Sequence, residues 1–238
     1  MARPHRASGS SVGLLRHCTY AFRADVSVPW EESGPAAKRG TRVHNAIESY
    51  LRDGEIVTLD HDAERNMFAS FLTWHDAHPI AQWAVEIPMV LDVESRTVRV
   101  LPRVEHRDYG EIKPSEIPMT IDAVAYGKNG RARYYDWKTS TKGEHSDQLM
   151  TGALALSLAS DAYMDVSAAP VYVLEQAAHT GDLIEPDALD LDAHEAMLRR
   201  QLRVLPTADP TPGTWCKEKW CKLREKCPAH RAWLKETR

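Results

Sequence analysis

Hydrophobic positions along the chain repeat at two different periods. From Ala36 to Arg52, Val43, Ile47, Tyr50 and Leu51 recur at helical spacing, and Asp53-Gly54 supplies a stop. A second helical stretch, Ala63 to Ala77, carries Met67, Phe68, Phe71, Leu72 and Trp74, and Pro79 closes it. From Trp83 the period shortens to two. Strands are predicted over Ala84–Val90, Val93–Val104, Met119–Tyr126 and Arg131–Lys138, with a charged loop from His106 to Pro118. The helical period returns at Ser146–Ser160, with Leu149, Ala153, Leu156 and Ala159 inward, and again near Ala188–Leu205. Val171–Glu175 reads as one more short strand. Near the start, Ser10 or Ser11 caps a short helix with Val12, Leu15 and Phe22 on one side and Cys18 close to it. Ser27–Pro35 and Pro206–Gly213 read as loop and linker.

This order predicts an α/β domain with a central sheet flanked by helices. Residues 1–10 form a tail, residues 11–205 the domain, and residues 206–238 a C-terminal segment. With 238 residues, 43% of them hydrophobic, the chain is long enough for one substantial core. The longest near-apolar run, Leu149 to Ala159, is too short to span a bilayer and contains Thr151 and Ser157. The arginines of the first residues precede no apolar segment, so no signal peptide is expected and the expected location is cytoplasmic.

The formal net charge of −4 weighs mildly against a general nucleic-acid binder, but its distribution matters more. Met1 to Ala24 holds Arg3, Arg6, Arg16 and Arg23 and no acid; Thr211 to Arg238 holds eight Lys/Arg against three acids. Both ends are basic on an otherwise acidic chain, and both contain cysteine.

Candidate chemistry centres on Asp136-Trp137-Lys138. Side chains on a strand alternate, so Asp136 and Lys138 project to the same face. The hairpin turn before them allows two registers. A two-residue loop, Asn129-Gly130, pairs Asp122 with Trp137 and points Asp122 away from Asp136. A three-residue loop, Lys128-Asn129-Gly130 with Gly130 left-handed, sets Asp122 opposite Asp136. Carboxylates that close call for a cation between them. The second register is expected on that chemical ground.

Several motifs occur together in one order: Gly40-Thr-Arg-Val-His44, Glu86, Ile121-Asp122, Asp136-Trp-Lys138, Gln148-Leu149, and the cysteines Cys18, Cys216, Cys221 and Cys227. In these the chain resembles the RecB-type nucleases of the PD-(D/E)XK superfamily, and most closely the iron–sulfur-containing Cas-four-type and AddB-type exonucleases. The resemblance implies a restriction-endonuclease-like core with a mixed sheet and an iron–sulfur subdomain formed by the two chain ends. It implies Mg²⁺ or Mn²⁺ held by His44, Asp122, Asp136 and the Trp137 carbonyl. Lys138 would orient the attacking water or stabilise phosphate charge, Gln148 would position the nucleophile or a phosphate, and Glu86 would bind the metal or support it. The implied activity is hydrolysis of DNA, as an exonuclease on single-stranded ends in recombination, repair, or CRISPR or phage DNA processing. A helicase, recombination or CRISPR protein is the implied partner. The alternative is a DNA-end-binding partner with the same fold and little cleavage.

The chain departs from the family pattern at three places: Met119 and Gly152 stand where a glycine and a tyrosine are usual, and the last three cysteines are spaced C-x4-C-x5-C. In a cytosolic chain four cysteines point to a metal or cluster rather than disulfides. The resemblance favours a 4Fe-4S cluster on Cys18, Cys216, Cys221 and Cys227; Zn²⁺ on Cys216, Cys221, Cys227 and His230 is the rival.

Overall fold

The computed structural model describes residues 3–4, 7–23, 27–28, 34–80, 82–102, 108–127, 130–141, 144–159, 165–211, 213, 216, 223, 227, 229–230 and 232–233. The expected turn tip Lys128-Asn129, the strand end at Val104 and the candidate ligand Cys221 lie outside these residues.

Strand β1 (Arg3–Pro4) pairs with β2 (Ser27–Val28) as a small antiparallel ladder. Between them a 3-10 turn (Gly9–Ser11) leads into helix α1 (Val12–His17), and a second turn covers Thr19–Phe22. Helices α2 (Pro35–Asp53) and α3 (Asp62–Ala77) follow. Pro35 begins α2, and Gly54 ends it at φ 71, its N–H donating to the Tyr50 carbonyl. Next come β3 (Trp83–Asp92), β4 (Thr97–Val100), β5 (Glu116–Tyr126), β6 (Arg131–Lys138), α4 (Ser146–Ala159), β7 (Asp165–Val173), β8 (Ala178–Thr180) and α5 (Ala188–Val204).

Strands β3 to β8 form one six-stranded sheet in the order β4-β3-β5-β6-β7-β8. Only β6 and β7 run parallel, and α4 is the helix that joins them. Two apolar cores cover the two faces. One packs α1, α4 and α5 on the sheet through Leu15, Leu154, Leu156, Leu198, Ile121 and Tyr134. The other packs α2 and α3 through Val43, Ile47, Phe71, Trp74, Tyr135 and Trp137.

Three expectations need correction. The strand expected over Val93–Val104 shrinks to Thr97–Val100, because the Asp92 carboxylate accepts the Glu94 and Ser95 amides and turns the chain. The short strand expected at Val171–Glu175 is the end of a nine-residue strand, Asp165–Val173. Its middle, Ala168–Val171, is buried between both helical layers, so the alternation that Asp165–Ala168 begins does not continue in the sequence. Strand β8 was not expected at all; it is three residues long and mostly exposed.

The hairpin register is the three-residue-loop one. Ala123 pairs with Tyr135 and Tyr126 with Ala132, the Gly127 amide donates to the Arg131 carbonyl, and Gly130 sits at φ 73. Continued by one residue, the ladder sets Asp122 opposite Asp136. It stops there. Below Ala123, β5 stays with β3 as far as Glu116–Asp92, while β6 stays with β7 through Lys138–Tyr172. The sheet therefore forks between β5 and β6, at the two aspartates. The Trp137 amide, which loses its β5 backbone partner at the fork, donates to Asp122 Oδ2 at 2.8 Å.

The same point carries a reversal of side-chain alternation. On β5, Ile117, Met119 and Ile121 belong to the first core, but Ala123 and Ala125 to the second. On β3, Met89 and Leu91 belong to the first, but Trp83 and Val85 pack on the second. A regular strand would keep each set on one face. Glu86, opposite Asp122 in the register, has φ 47 and supplies the twist that swaps the faces.

Candidate active site

Five elements, α2, β3, β5, β6 and α4, deliver side chains to the fork. Helix α2 brings His44. One turn earlier on the same face stands Gly40, where a Cβ would lie 3.1 Å from Thr139 Oγ1. The missing side chain lets α2 approach the end of β6, and His44 Nδ1 then sits 3.7 Å from Asp122 Oδ2. Strand β3 brings Glu86. One ligand atom each from His44, Glu86 and Asp122 lies within 4.8 Å of the others. A six-coordinate Mg²⁺ at about 2.1 Å from each donor spans ligand pairs of up to about 4.2 Å, so a small inward closure seats one. An imidazole and two half-buried carboxylates fit Mg²⁺ or Mn²⁺.

Strand β6 and helix α4 supply a second group beside the first. Lys138 Nζ lies 2.6 Å from Asp136 Oδ2 and donates to Gln148 Oε1 at 3.0 Å. Gln148 Nε2 donates to Asp136 Oδ1 at 2.9 Å. The three side chains close a triangle that fixes the ammonium at the mouth of the fork, where Lys138 keeps 19% of its side-chain surface. Asp136 is 2% exposed. Burial pushes its pKa up to about 6, against the pull of Lys138 and with a further push from the Asp122 charge.

The ligand grouping differs from the expected one in one respect. Glu86, expected as a weaker candidate on the metal or in support of it, joins His44 and Asp122, while both Asp136 oxygens are engaged by Lys138 and Gln148. Asp136 stays within electrostatic reach of Asp122 and His44. Trp137 contributes its backbone amide to Asp122, and its side chain packs in the α2–α3 core.

Tyr134 was not among the expected site residues. It is 1% exposed, and its hydroxyl stands within electrostatic reach of Gln148 and Asp136. Its ring lies over Gly152, where a Cβ would be 2.4 Å from Tyr134 Cε1. Gly152 thus makes room for a tyrosine from the strand. Met119, the other departure, packs on Gly9, where a Cβ would meet Met119 Cβ at 2.8 Å. The period of two could have found Tyr134, since it shares a face with Asp136 and Lys138.

At the far side of α1, Cys18, Cys216 and Cys227 are all buried. Burial raises the Cys18 pKa, and Cys216 and Cys227 add to the rise electrostatically, so the two chain ends meet at these thiols. Among the described residues no helix is long and apolar enough to cross a membrane.

A sequence model of the PD-(D/E)XK nuclease superfamily matches residues 6–228. No curated protein matches the chain. Two solved structures are similar in backbone. The crystal structure of SSO0001 is 16% identical over 83% of this chain and 72% of its own, with a TM-score of 0.45. A protein from Eubacterium rectale provisionally named an exonuclease is 12% identical over 85% of this chain and 76% of its own, also with a TM-score of 0.45.

Proposed function

The chain belongs to the PD-(D/E)XK nuclease superfamily, and from that premise we propose that it hydrolyses DNA phosphodiester bonds with a divalent cation, as an exonuclease on single-stranded ends. The observation that carries the reading is the fork itself: a His44–Glu86–Asp122 group beside a Lys138–Asp136–Gln148 triangle. Mg²⁺ or Mn²⁺ held by His44, Glu86 and Asp122, with Asp136 next to them, would polarise the scissile phosphate and acidify a bound water.

The chain's own groups do the rest. Lys138 sets a positive charge beside the position of the phosphate, where charge grows as water oxygen bonds to phosphorus and the ester P–O bond breaks. Asp136 and Gln148 hold that ammonium in one place, so little reorganisation is needed during reaction. The proton leaves the attacking water and the departing oxygen gains one, which balances the hydrolysis. Buried Tyr134 stands beside Gln148 and Asp136.

End-labelled single-stranded DNA with Mn²⁺ or Mg²⁺ is the test. Wild type should degrade it, EDTA should stop it, and Lys138→Ala and Asp136→Ala should each lower the rate by at least about 10²-fold. Wild type that binds DNA ends yet degrades none in either metal would overturn the hydrolase reading in favour of an end-binding recombination or CRISPR partner. Where duplex DNA is the source of ends, unwinding falls to a separate helicase.

We further propose a 4Fe-4S cluster on Cys18, Cys216, Cys221 and Cys227. The convergence of buried Cys18, Cys216 and Cys227 supports it. Such a cluster would join the basic N-terminal and C-terminal segments into one surface suited to DNA. The rival is Zn²⁺ with His230 in place of Cys18.

A further inference from the structure

The catalytic row does not end at Lys138. On β7, Val166 and Ala168 pack in the α4 core while Ala169, Val171 and Val173 pack in the other, so Tyr172 shares the face of Asp136 and Lys138. The sheet register sets Tyr172 directly beside Lys138, and His179 of edge strand β8 directly beside Tyr172. Read across the strands, the row runs Glu86, Asp122, Asp136 and Lys138, Tyr172, His179. Two strand spacings, about 10 Å, separate Lys138 from the edge.

The far part of this row is built from rings. Tyr172 and His179 lie 5.3 Å apart at 32° between planes. His145, from the loop between β6 and α4, reaches over Tyr172 at 6.4 Å. Its Nε2 is buried and has no hydrogen-bond partner among the described residues. Gly181 makes space for the tyrosine ring: a Cβ there would lie 2.7 Å from Tyr172 Cε2. His179 is exposed and Tyr172 half-buried. Neither ring hides in a core, and no acidic side chain interrupts the row between Lys138 and the edge.

From this arrangement we infer that Tyr172 and His179 form a stacking shelf for unpaired nucleobases next to the scissile phosphate, with His145 donating to or accepting from the base or sugar that lies there. The inference rests on the hydrolase reading for the position of the phosphate and names its substrate as single-stranded DNA. Aromatic faces suit any base, because every base has a π-face, so the shelf selects unpaired over paired strands without selecting sequence. The shelf occupies the C-terminal end of β7 and the edge strand.

Binding of a short fluorescent oligothymidylate, followed by anisotropy in EDTA, tests the shelf without hydrolysis. Tyr172→Ala and His179→Ala should each weaken binding roughly tenfold, while Tyr172→Phe keeps the wild-type affinity. An oligomer with abasic sites in place of the bases should bind wild type and both alanine variants alike. Equal oligothymidylate affinity for wild type and the alanine variants overturns the inference. So does an equal loss on the abasic oligomer, which would place the contact on the backbone. Because His179 is exposed, His179→Ala decides the matter even where Tyr172→Ala fails to fold. Base-dependent binding through the shelf without metal-dependent degradation by wild type would sink the hydrolase reading and leave the shelf standing; degradation with no shelf effect does the reverse.

Discussion

Asp136 shows how a single residue can be tuned at the expense of the fold. Its carboxyl is buried, and its pKa rises from the ordinary 3.8 to about 6. A carboxyl that binds its proton more tightly in the folded state stabilises the fold below the unfolded pKa. That contribution is lost as pH rises through the folded pKa. Here the window runs from 3.8 to about 6. Asp136→Asn removes the charge and keeps the shape. Urea denaturation in EDTA should find it equal to wild type near the bottom of that window. Above the window it should be more stable by about 1–3 kcal/mol. A variant less stable than wild type throughout would mean that the Lys138 contact outweighs desolvation. At this scale the sequence was informative about identity and less so about grouping. His44, Asp122, Asp136, Lys138 and Gln148 stand in recognisable spacings. That Glu86 would stand with His44 and Asp122, and that Tyr134 would fill the space over Gly152, depended on contacts between residues far apart in the chain.

At the scale of elements, the forked hairpin is the device that makes a site. Pairing between β5 and β6 ends where Asp122 captures the Trp137 amide, and across β3 the left-handed Glu86 reverses the side-chain alternation. A non-glycine residue held there is strained by about 1–2 kcal/mol. Glu86→Gly relieves that strain, whereas Glu86→Gln keeps it; both remove the carboxylate. In EDTA, Glu86→Gly should therefore be more stable than Glu86→Gln by about 0.5–1 kcal/mol, after the entropy cost of glycine in a strand. Wild type should gain thermal stability from Mn²⁺, and neither variant should. Equal stability of the two would show that the backbone there carries no strain. Helices α2 and α3 and the hairpin were legible because each has one dry face and a clear period. Strand β7 was not, because layers on both sides bury its middle and break off the alternation of its first residues. β8 was too short to show any period.

Across the whole molecule, Cys18 lies within electrostatic reach of Cys216 and Cys227. Cys18 follows α1, and Cys216 and Cys227 come from the far end, beyond α5. With a four-cysteine cluster, anaerobically purified wild type should be coloured and contain iron and acid-labile sulfide. Cys18→Ser and Cys227→Ser should then lose both and unfold at lower urea, because each unpins the two ends. A colourless wild-type protein holding stoichiometric zinc, with Cys18→Ser unaffected, would instead place the metal on the C-terminal cysteines and His230. The two apolar cores and the single forked sheet between them explain why the site lies where it does: α2 reaches the fork from one face and α4 from the other.

The sequence by itself determined the periods, and with them the helices and the hairpin, because burial of one face is a local pattern. It also determined the chemical inventory, since residue types at motif spacing are visible without coordinates. Only the tertiary structure decided which carboxylates share a cation site and where the hairpin parts. It also decided which tyrosine stands over Gly152 and that a row of rings continues from Lys138 to the sheet edge. Those outcomes depend on distances between segments tens of residues apart, set by how two layers of helices press on one sheet. No local period encodes such a distance.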